Sequence, residues 1–256
     1  YNPKMLLPRL LLLLCAPLSA MESGWNTAWS PHFMIHQEIS GPKHAAGADL
    51  EKVFRVLHKD LWTLSSWMDT EKVEVYLYKD KKSYQGGRFK PPAWSGGMVH
   101  HSGQPGSAWS LAIYEPLDKR IAAHELTHLY FRSFFKNSAG RIPLWLNEGL
   151  AEMMAEEAAG SGRVPASGPA VKKPSPLKDF LALRQVPDGA SGEFYPQAHS
   201  LVRFLKKANS PLKFEKFCRQ LRDGEQPGRA MFSAYGFMTT ADLESAWKKW
   251  AARPAP

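Results

Sequence analysis

The stretch that decides the fold reads Ile121-Ala-Ala-His-Glu-Leu-Thr-His128. Its two histidines, His124 and His128, are four residues apart, so in an α-helix both imidazoles leave one face and can bind the same metal ion. Glu125 points slightly away from that direction, toward a water on the metal rather than toward the metal itself. The spacing therefore predicts a helix that carries a metal site with a general base beside it.

A second segment, Leu146-Asn-Glu-Gly-Leu-Ala-Glu152, falls in the next predicted helix. Glu148, Glu152 and Glu156 recur every four residues, and in a chain without the upstream histidines they would be read as a solvated acidic stripe. With the histidines present, Glu148 is the expected third metal ligand. Two histidines and one carboxylate leave a coordination position of zinc open, as a catalytic site requires.

Taken together, the two segments resemble the gluzincin group of zinc metallopeptidases, and more closely the short bacterial peptidase MA-like domains. The resemblance covers about residues 30–206 and includes a third segment, Tyr195-Pro-Gln-Ala-His-Ser-Leu-Val-Arg-Phe-Leu205. It implies Zn²⁺ as the cofactor, hydrolysis of peptide bonds by a zinc-activated water, and a zincin-like fold. It also implies a role for each matching residue: zinc ligands His124, His128 and Glu148, general base Glu125, and Glu152 as the partner that orients His124.

The third segment leaves one role open. In the resembled enzymes a tyrosine or a histidine stabilises the developing oxyanion, and here Tyr195 or His199, one turn apart, could donate that hydrogen bond. The alternative for Tyr195 is a structural one, because it precedes an apolar helix face and could simply cover the core. His100 and His101 lie in a loop and short strand, where neighbouring side chains face opposite ways, and are expected at the surface.

Outward from these segments, the pattern predicts strands first and helices afterwards, which is typical of an α+β fold. The predicted strands are residues 29–38, 73–78, 98–101 and 108–114, and the predicted helices are 48–68, 118–135, 143–159, 177–184, 195–207, 212–221 and 240–252. A zincin-like catalytic domain is expected over residues 21–160. A Gly/Ser/Pro-rich loop (161–176) would then lead to a C-terminal helical part (177–256) that completes the cleft.

Residues 1–20 have the features of a secretory signal peptide. Two basic residues precede the apolar run 10–16, and small residues follow it. The run is shorter than the about 20 apolar residues that a stable membrane anchor needs. A lipoprotein attached through Cys15 is disfavoured, because Leu14 stands where a small residue is expected. We therefore expect a secreted or periplasmic protein.

Composition excludes several other classes. The chain has 256 residues, 44% of them hydrophobic, which is incompatible with a disordered chain or a coiled coil. Its 2 cysteines exclude a disulfide scaffold. The net charge of +9 comes from scattered residues and short pairs without interleaved aromatic residues, so no nucleic-acid partner is expected. The expected partner is a peptide or protein substrate.

Two alternatives to a peptidase remain at this point. The chain could be a non-catalytic, zinc-containing module that binds envelope polymer, or a zinc hydrolase that acts on a non-peptide amide of the cell envelope. If it is a peptidase, the strand at residues 108–114 is the expected edge along which a substrate adds.

An endopeptidase is favoured over an aminopeptidase. Aminopeptidase N-like enzymes carry a G-x-M-E-N segment, whose glutamate binds the free amino terminus of the substrate. The corresponding stretch here is Gly96-Gly-Met-Val-His100, with Val99 in place of that glutamate. Valine cannot pair with an ammonium group. Glu115 is the remaining candidate for such a carboxylate.

Overall fold

A computed structural model describes residues 24–38, 46–100, 109–160 and 171–252. The predicted signal peptide, Cys15, His101 and residues 161–170 of the predicted loop lie outside these described residues. Within the described ranges, no helix is long and apolar enough to cross a membrane.

A five-stranded mixed sheet forms the N-terminal part. Its strands are β1 (Trp25–Trp29), β2 (Phe33–Glu38), β3 (Val73–Tyr78), β4 (Gly97–His100) and β5 (Ser110–Tyr114). They lie in the order β1-β2-β3-β5-β4. The three central strands run parallel, and β1 and β4 pair antiparallel with their neighbours at the two edges. The period of two predicted for β3 is confirmed, because Val73, Val75 and Leu77 are fully buried on one face.

Helices cover that face of the sheet and form the rest of the described chain. They are α1 (Ala46–Leu61), α2 (Trp67–Thr70), α3 (Lys81–Gly86), α4 (Lys119–Phe135), α5 (Leu144–Ala158), α6 (Leu177–Phe180), α7 (Ser191–Arg203), α8 (Pro211–Arg222), α9 (Pro227–Tyr235) and α10 (Thr240–Ala251). A 3₁₀ turn, Lys136–Arg141, follows α4, and a π-helical segment, Phe204–Asn209, continues α7. The mixed sheet followed by helices confirms the predicted α+β, zincin-like class.

The helix α4 is the centre of the molecule. Asp118 begins it as N-cap, and its carboxylate accepts hydrogen bonds from the backbone amides of Arg120 and Ile121. The helix packs against α1, α5 and the strands β4 and β5. Most of its side chains are therefore buried, and its few polar residues are held in fixed positions.

A glycine lets α5 and α7 approach closely. A Cβ atom at Gly149 would stand 2.3 Å from the carbonyl oxygen of Ala198 in α7, which is far inside van der Waals contact. Through this contact the C-terminal helices share one hydrophobic core with the sheet and α4, extending from Phe33 to Trp247. The segment 171–176 between the two parts, as far as it is described, has no helix or strand.

Several predicted boundaries are wrong for identifiable reasons. The strand predicted over 29–38 begins only at Phe33, because the chain reverses around Pro31, and Trp29 ends the preceding strand β1 and pairs with Met34. The helix predicted over 48–68 ends at Leu61, and a separate short helix, α2, begins at Trp67. The short helices α3 and α9 were not predicted, since each offers little more than two turns of periodicity.

Candidate metal centre

Three potential ligands converge where α4 crosses α5. The Nε2 atoms of His124 and His128 lie 3.6 and 3.8 Å from the Oε2 atom of Glu148. All three ligand atoms lie within 4.8 Å of one another, and no residue of the group is exposed. The helical spacing of four residues explains the pair of histidines, and the packing of α5 on α4 brings the carboxylate to them.

Neighbouring groups orient these ligands. The Nδ1 atom of His124 lies 3.2 Å from Oε1 of Glu152, so the carboxylate fixes the imidazole from the side away from Glu148. The side-chain amide of Asn147 donates to Oε1 of Glu148 at 3.4 Å. Arg120 lies 3.6 Å from the outer oxygen of Glu152. His124 and Glu148 therefore each have their direction set by another side chain.

The charge distribution at the centre favours a cation. Burial alone would lower the pKa of His124, but the carboxylates of Glu148 and Glu152 raise it to about 10. Burial opposes ionisation of Glu148 and Glu152 as well, yet the adjacent histidine lowers the pKa of both. His128 is different, because burial lowers its pKa and keeps the imidazole neutral, the form that binds metal.

The donor set fits a divalent metal such as zinc. Two bonds of about 2.0–2.2 Å, the usual length for zinc to imidazole nitrogen or carboxylate oxygen, join atoms up to about 4.2 Å apart. The distances from the two histidines to Glu148 satisfy this limit. Two imidazoles and one carboxylate are also a ligand set of catalytic rather than structural zinc.

Glu125 lies beside these ligands and is not one of them. Burial raises its pKa to about 7, with His124 opposing the shift and Glu148 adding to it. Its carboxylate accepts a hydrogen bond from the backbone amide of Val99 in β4. The strand can come this close because a Cβ at Gly97 would stand 3.3 Å from Cγ of Glu125 and 2.7 Å from the side chain of Ile121.

The two residues considered for the oxyanion differ in their surroundings. Tyr195 is partly exposed, and burial followed by the carboxylates of Glu148, Glu152 and Glu125 raises its pKa, so its phenol lies within electrostatic reach of the centre. His199 is buried, and its Nε2 atom lies 3.0 Å from Oε2 of Glu156. Glu156 in turn pairs with Arg203 at 3.2 Å. Glu156, the third glutamate of the predicted stripe, thus contacts residues of α7 and not the three potential ligands.

The edge strand next to α4 is β4, which corrects one expectation. The strand β5, expected to be free for a substrate, lies between β3 and β4 and is paired on both sides. The chain forms β4 at the edge first and then returns to place β5 between β3 and β4, directly before α4. His100 is exposed at the end of β4, as expected, and also lines a cavity beside His128. Glu115 accepts hydrogen bonds from Gln37 and Leu117.

Sequence reasoning missed the residues that act through close packing. Gly96 and Gly97 were considered only as part of a segment that lacks a glutamate, and Gly149 only as part of a motif. These glycines allow a neighbouring strand or helix to pack closely against them. In a sequence, a glycine next to a functional residue is the signal for such a contact. The contact of Asn147 with Glu148 could have been anticipated from their adjacency on α5.

Comparison with known proteins agrees with this geometry. A comparison with curated proteins finds no match. A family model described as the Peptidase MA superfamily matches residues 60–253, which include α4, α5 and α7 with His124, Glu125, His128, Glu148 and Glu152. A family of this kind indicates a peptidase-like enzyme of metallopeptidase type. On the extent of this match, the chain belongs to the Peptidase MA superfamily.

Proposed function

We propose that the protein is a zinc-dependent endopeptidase with Glu125 as its general base. The observation that carries the proposal is the convergence of His124, His128 and Glu148, with Glu125 held between them and the edge strand β4. Bound to these three ligands, zinc would supply Lewis acidity, which polarises a carbonyl group and acidifies water. Proton transfer and stabilisation of the oxyanion would be carried out by side chains of the protein.

Glu125 takes up and delivers the proton. Its buried carboxylate has a pKa of about 7, so it can accept a proton at neutral pH and later give it to the leaving amine. The backbone amide of Val99 keeps the carboxylate directed into the cleft. Glu152 keeps His124 in one orientation, so the base and the ligands remain aligned.

Tyr195 is the proposed oxyanion donor, in preference to His199. A phenol with a raised pKa keeps its proton at neutral pH and can donate it as a hydrogen bond. Three carboxylates of the centre raise the pKa of Tyr195, which supports a position of the phenol near the reacting group. The imidazole of His199 is buried against Glu156, which leaves it less able to reach a substrate.

The edge strand β4 supplies the binding surface for an extended peptide. The outer side of β4 has no strand partner among the described residues, so a peptide could add to it by backbone hydrogen bonds. Such a peptide would run past Val99, whose amide contacts Glu125. The scissile carbonyl would then lie over the general base.

Cavities on both sides of the centre favour cleavage inside a chain. One is lined by Gly96 and Ile121, before the histidines on α4, and the other by His128 and Arg132, after them. A substrate can therefore continue in both directions. Val99 is consistent with this, because a valine side chain cannot pair with a free amino terminus.

Metal analysis combined with a peptide-library digest tests the proposal. The expected result is about one zinc per chain and discrete cleavages within peptides, equally for free and N-acetylated substrates. Loss of cleavage on chelation and its return with zinc would support the metal requirement. A protein that binds no metal, or that releases only single amino acids from free amino termini, would contradict it.

A further inference from the structure

A second feature of the cleft lies beyond His128. It is a cavity of about 530 Å³, a volume in the range of small-ligand sites. Val99 and His100 of β4 form one wall, and His128 and Arg132 of α4 form another. Val99 also contacts Glu125 through its backbone amide, so the cavity shares a wall residue with the surroundings of the proposed general base.

The lining of this cavity is cationic. Arg132 comes from α4 and Arg184 from the chain after α6, so the N-terminal and C-terminal parts each contribute a guanidinium group. The amide of Asn147 is a further polar group of the wall, and none of the described lining residues is acidic. The segments outside the described residues hold a single acidic residue, Glu22.

Arg132 is held in position without a carboxylate. It follows His128 by four residues and therefore lies on the same face of α4. Its Cζ atom lies 5.5 Å from the ring centroid of Trp109, which also lines the cavity. Such stacking orients a guanidinium plane and leaves its N–H groups directed outward. In the described part of the chain, neither Arg132 nor Arg184 forms an ion pair within 4.0 Å.

We propose that this cavity binds a carboxylate of the substrate, through Arg132 and Arg184, next to the bond that is cleaved. The proposal rests on the proposed peptidase function and names its substrate class, an acidic peptide. A guanidinium group donates two parallel hydrogen bonds to a carboxylate, a stronger and more directional contact than it makes with a neutral amide. Both arginines are exposed to solvent, and a neutral side chain would form no charge-assisted hydrogen bond with either of them.

A carboxylate can come from two sources, a glutamate or aspartate side chain or the carboxyl terminus of the peptide. Two peptide series distinguish them. In the first, a single glutamate is moved through acetylated hexa-alanine amides, and each peptide is compared with its glutamine counterpart. In the second, the glutamine peptides are compared as free acids and as amides. Cleavage by the wild-type chain gives kcat/KM, and calorimetry with zinc-loaded Glu125→Gln gives binding without turnover.

A carboxylate in the cavity predicts at least about a tenfold preference for one glutamate position or for the free acid, in both measurements. A preference in the first series identifies a side chain, and one in the second identifies a carboxyl terminus. Arg132→Gln and Arg184→Gln should each reduce the preference, while the control Arg229→Gln, on the exposed surface of α9, should keep it. Arg132→Glu should favour a lysine peptide instead.

Two results would overturn the proposal. One is equal kcat/KM and equal binding for the charged and neutral members of both series. The other is a preference that survives in Arg132→Gln and Arg184→Gln variants whose Tm matches the wild type. The proposed function is tested separately: if no peptide is cleaved but the binding preference for a carboxylate is present and arginine-dependent, the cavity is assigned correctly and the peptidase activity is not.

Discussion

At the scale of single residues, environment separates the functions of three glutamates on two adjacent helices. Glu148 faces two histidines, and its pKa is lowered by that contact against the effect of burial. Glu125 is buried beside the same centre, but burial raises its pKa to about 7. Glu156, two turns after Glu148, contacts His199 and Arg203 instead. The proposed ligand, the proposed base and a structural partner are thus the same residue type in different surroundings.

The first prediction concerns the base. Glu125→Gln should keep zinc content near the wild-type value and lower kcat by about 10²–10⁴-fold, because the amide has the same shape but cannot accept the proton. Metal analysis and steady-state kinetics on the same preparation check it. Wild-type turnover in this variant would show that another group is the base.

The second prediction distinguishes Glu148 as a metal ligand from Glu156, which belongs only to the acidic stripe. The Glu148→Ala variant should lose most of its zinc affinity. In the Glu152→Ala variant the zinc affinity should fall about 10–100-fold, because Glu152 orients His124 without binding the metal. Glu156→Ala is the matched control on the same helix and should retain zinc. A competition titration with a zinc chelator measures all three. Equal affinities in the Glu148 and Glu156 variants would mean that Glu148 does not bind zinc.

At the scale of elements, the site depends on how closely two pairs of them approach. The sheet brings β4 to α4 at Gly97, and α5 meets α7 at Gly149. Neither contact has room for a methyl group, so both glycines are required by packing and not by backbone conformation. The positions of Glu125, Glu148 and Tyr195 follow from these two contacts.

The third prediction tests the closer of the two contacts. In Gly149→Ala the new Cβ would stand 2.3 Å from the carbonyl oxygen of Ala198, and the backbone of α7 would have to move. We expect the free energy of unfolding to fall by at least about 1–3 kcal/mol. Each kcal/mol corresponds to a decrease of about 2–4 °C in Tm. The control is Gly192→Ala in α7, where nothing lies within 4 Å. That variant should be neutral or slightly more stable. Equal Tm values for the two variants would contradict the packing argument.

At the scale of the whole molecule, a buried charge cluster connects the first and last thirds of the chain. Asp60 in α1 accepts hydrogen bonds from Lys206 at 2.6 Å and Lys207 at 3.1 Å, and Lys207 also lies 3.0 Å from Glu157 in α5. Lys206 is buried. Burial and the proximity of Asp60 raise the pKa of Glu157. Burial opposes ionisation of Asp60 too, but Lys206 and Lys207 hold its pKa well below the usual range.

The fourth prediction follows from this cluster. Asp60→Asn leaves Lys206 as a buried cation without its partner, so at pH 7 it should cost about 3–5 kcal/mol. Because the pKa of Asp60 is lower in the folded state, its contribution is complete above the unfolded value of about 4 and is lost as the pH falls further. The difference between wild type and variant should therefore shrink from pH 4 toward pH 2.

Denaturant unfolding at several pH values measures that difference. The control is Asp49→Asn in α1, where the exposed pair with Lys52 should contribute about 1 kcal/mol or less. A difference between wild type and Asp60→Asn that stays constant from pH 7 to pH 2 would show that Asp60 is not the group whose ionisation stabilises the fold.

Local patterns were sufficient to predict the α+β class, α4 and α5, and the proximity of His124 to His128, because a helix brings residues four apart to one face whatever surrounds it. The approach of Glu148 to this pair was predicted from a second segment, through a family resemblance. Only the tertiary structure decided that β4 and not β5 is the free edge, since strand order depends on long-range pairing that no local period encodes. The separate environments of Tyr195 and His199, one turn apart on α7, were likewise decided by packing: α5 places Glu156 against His199 and leaves Tyr195 within electrostatic reach of the metal centre.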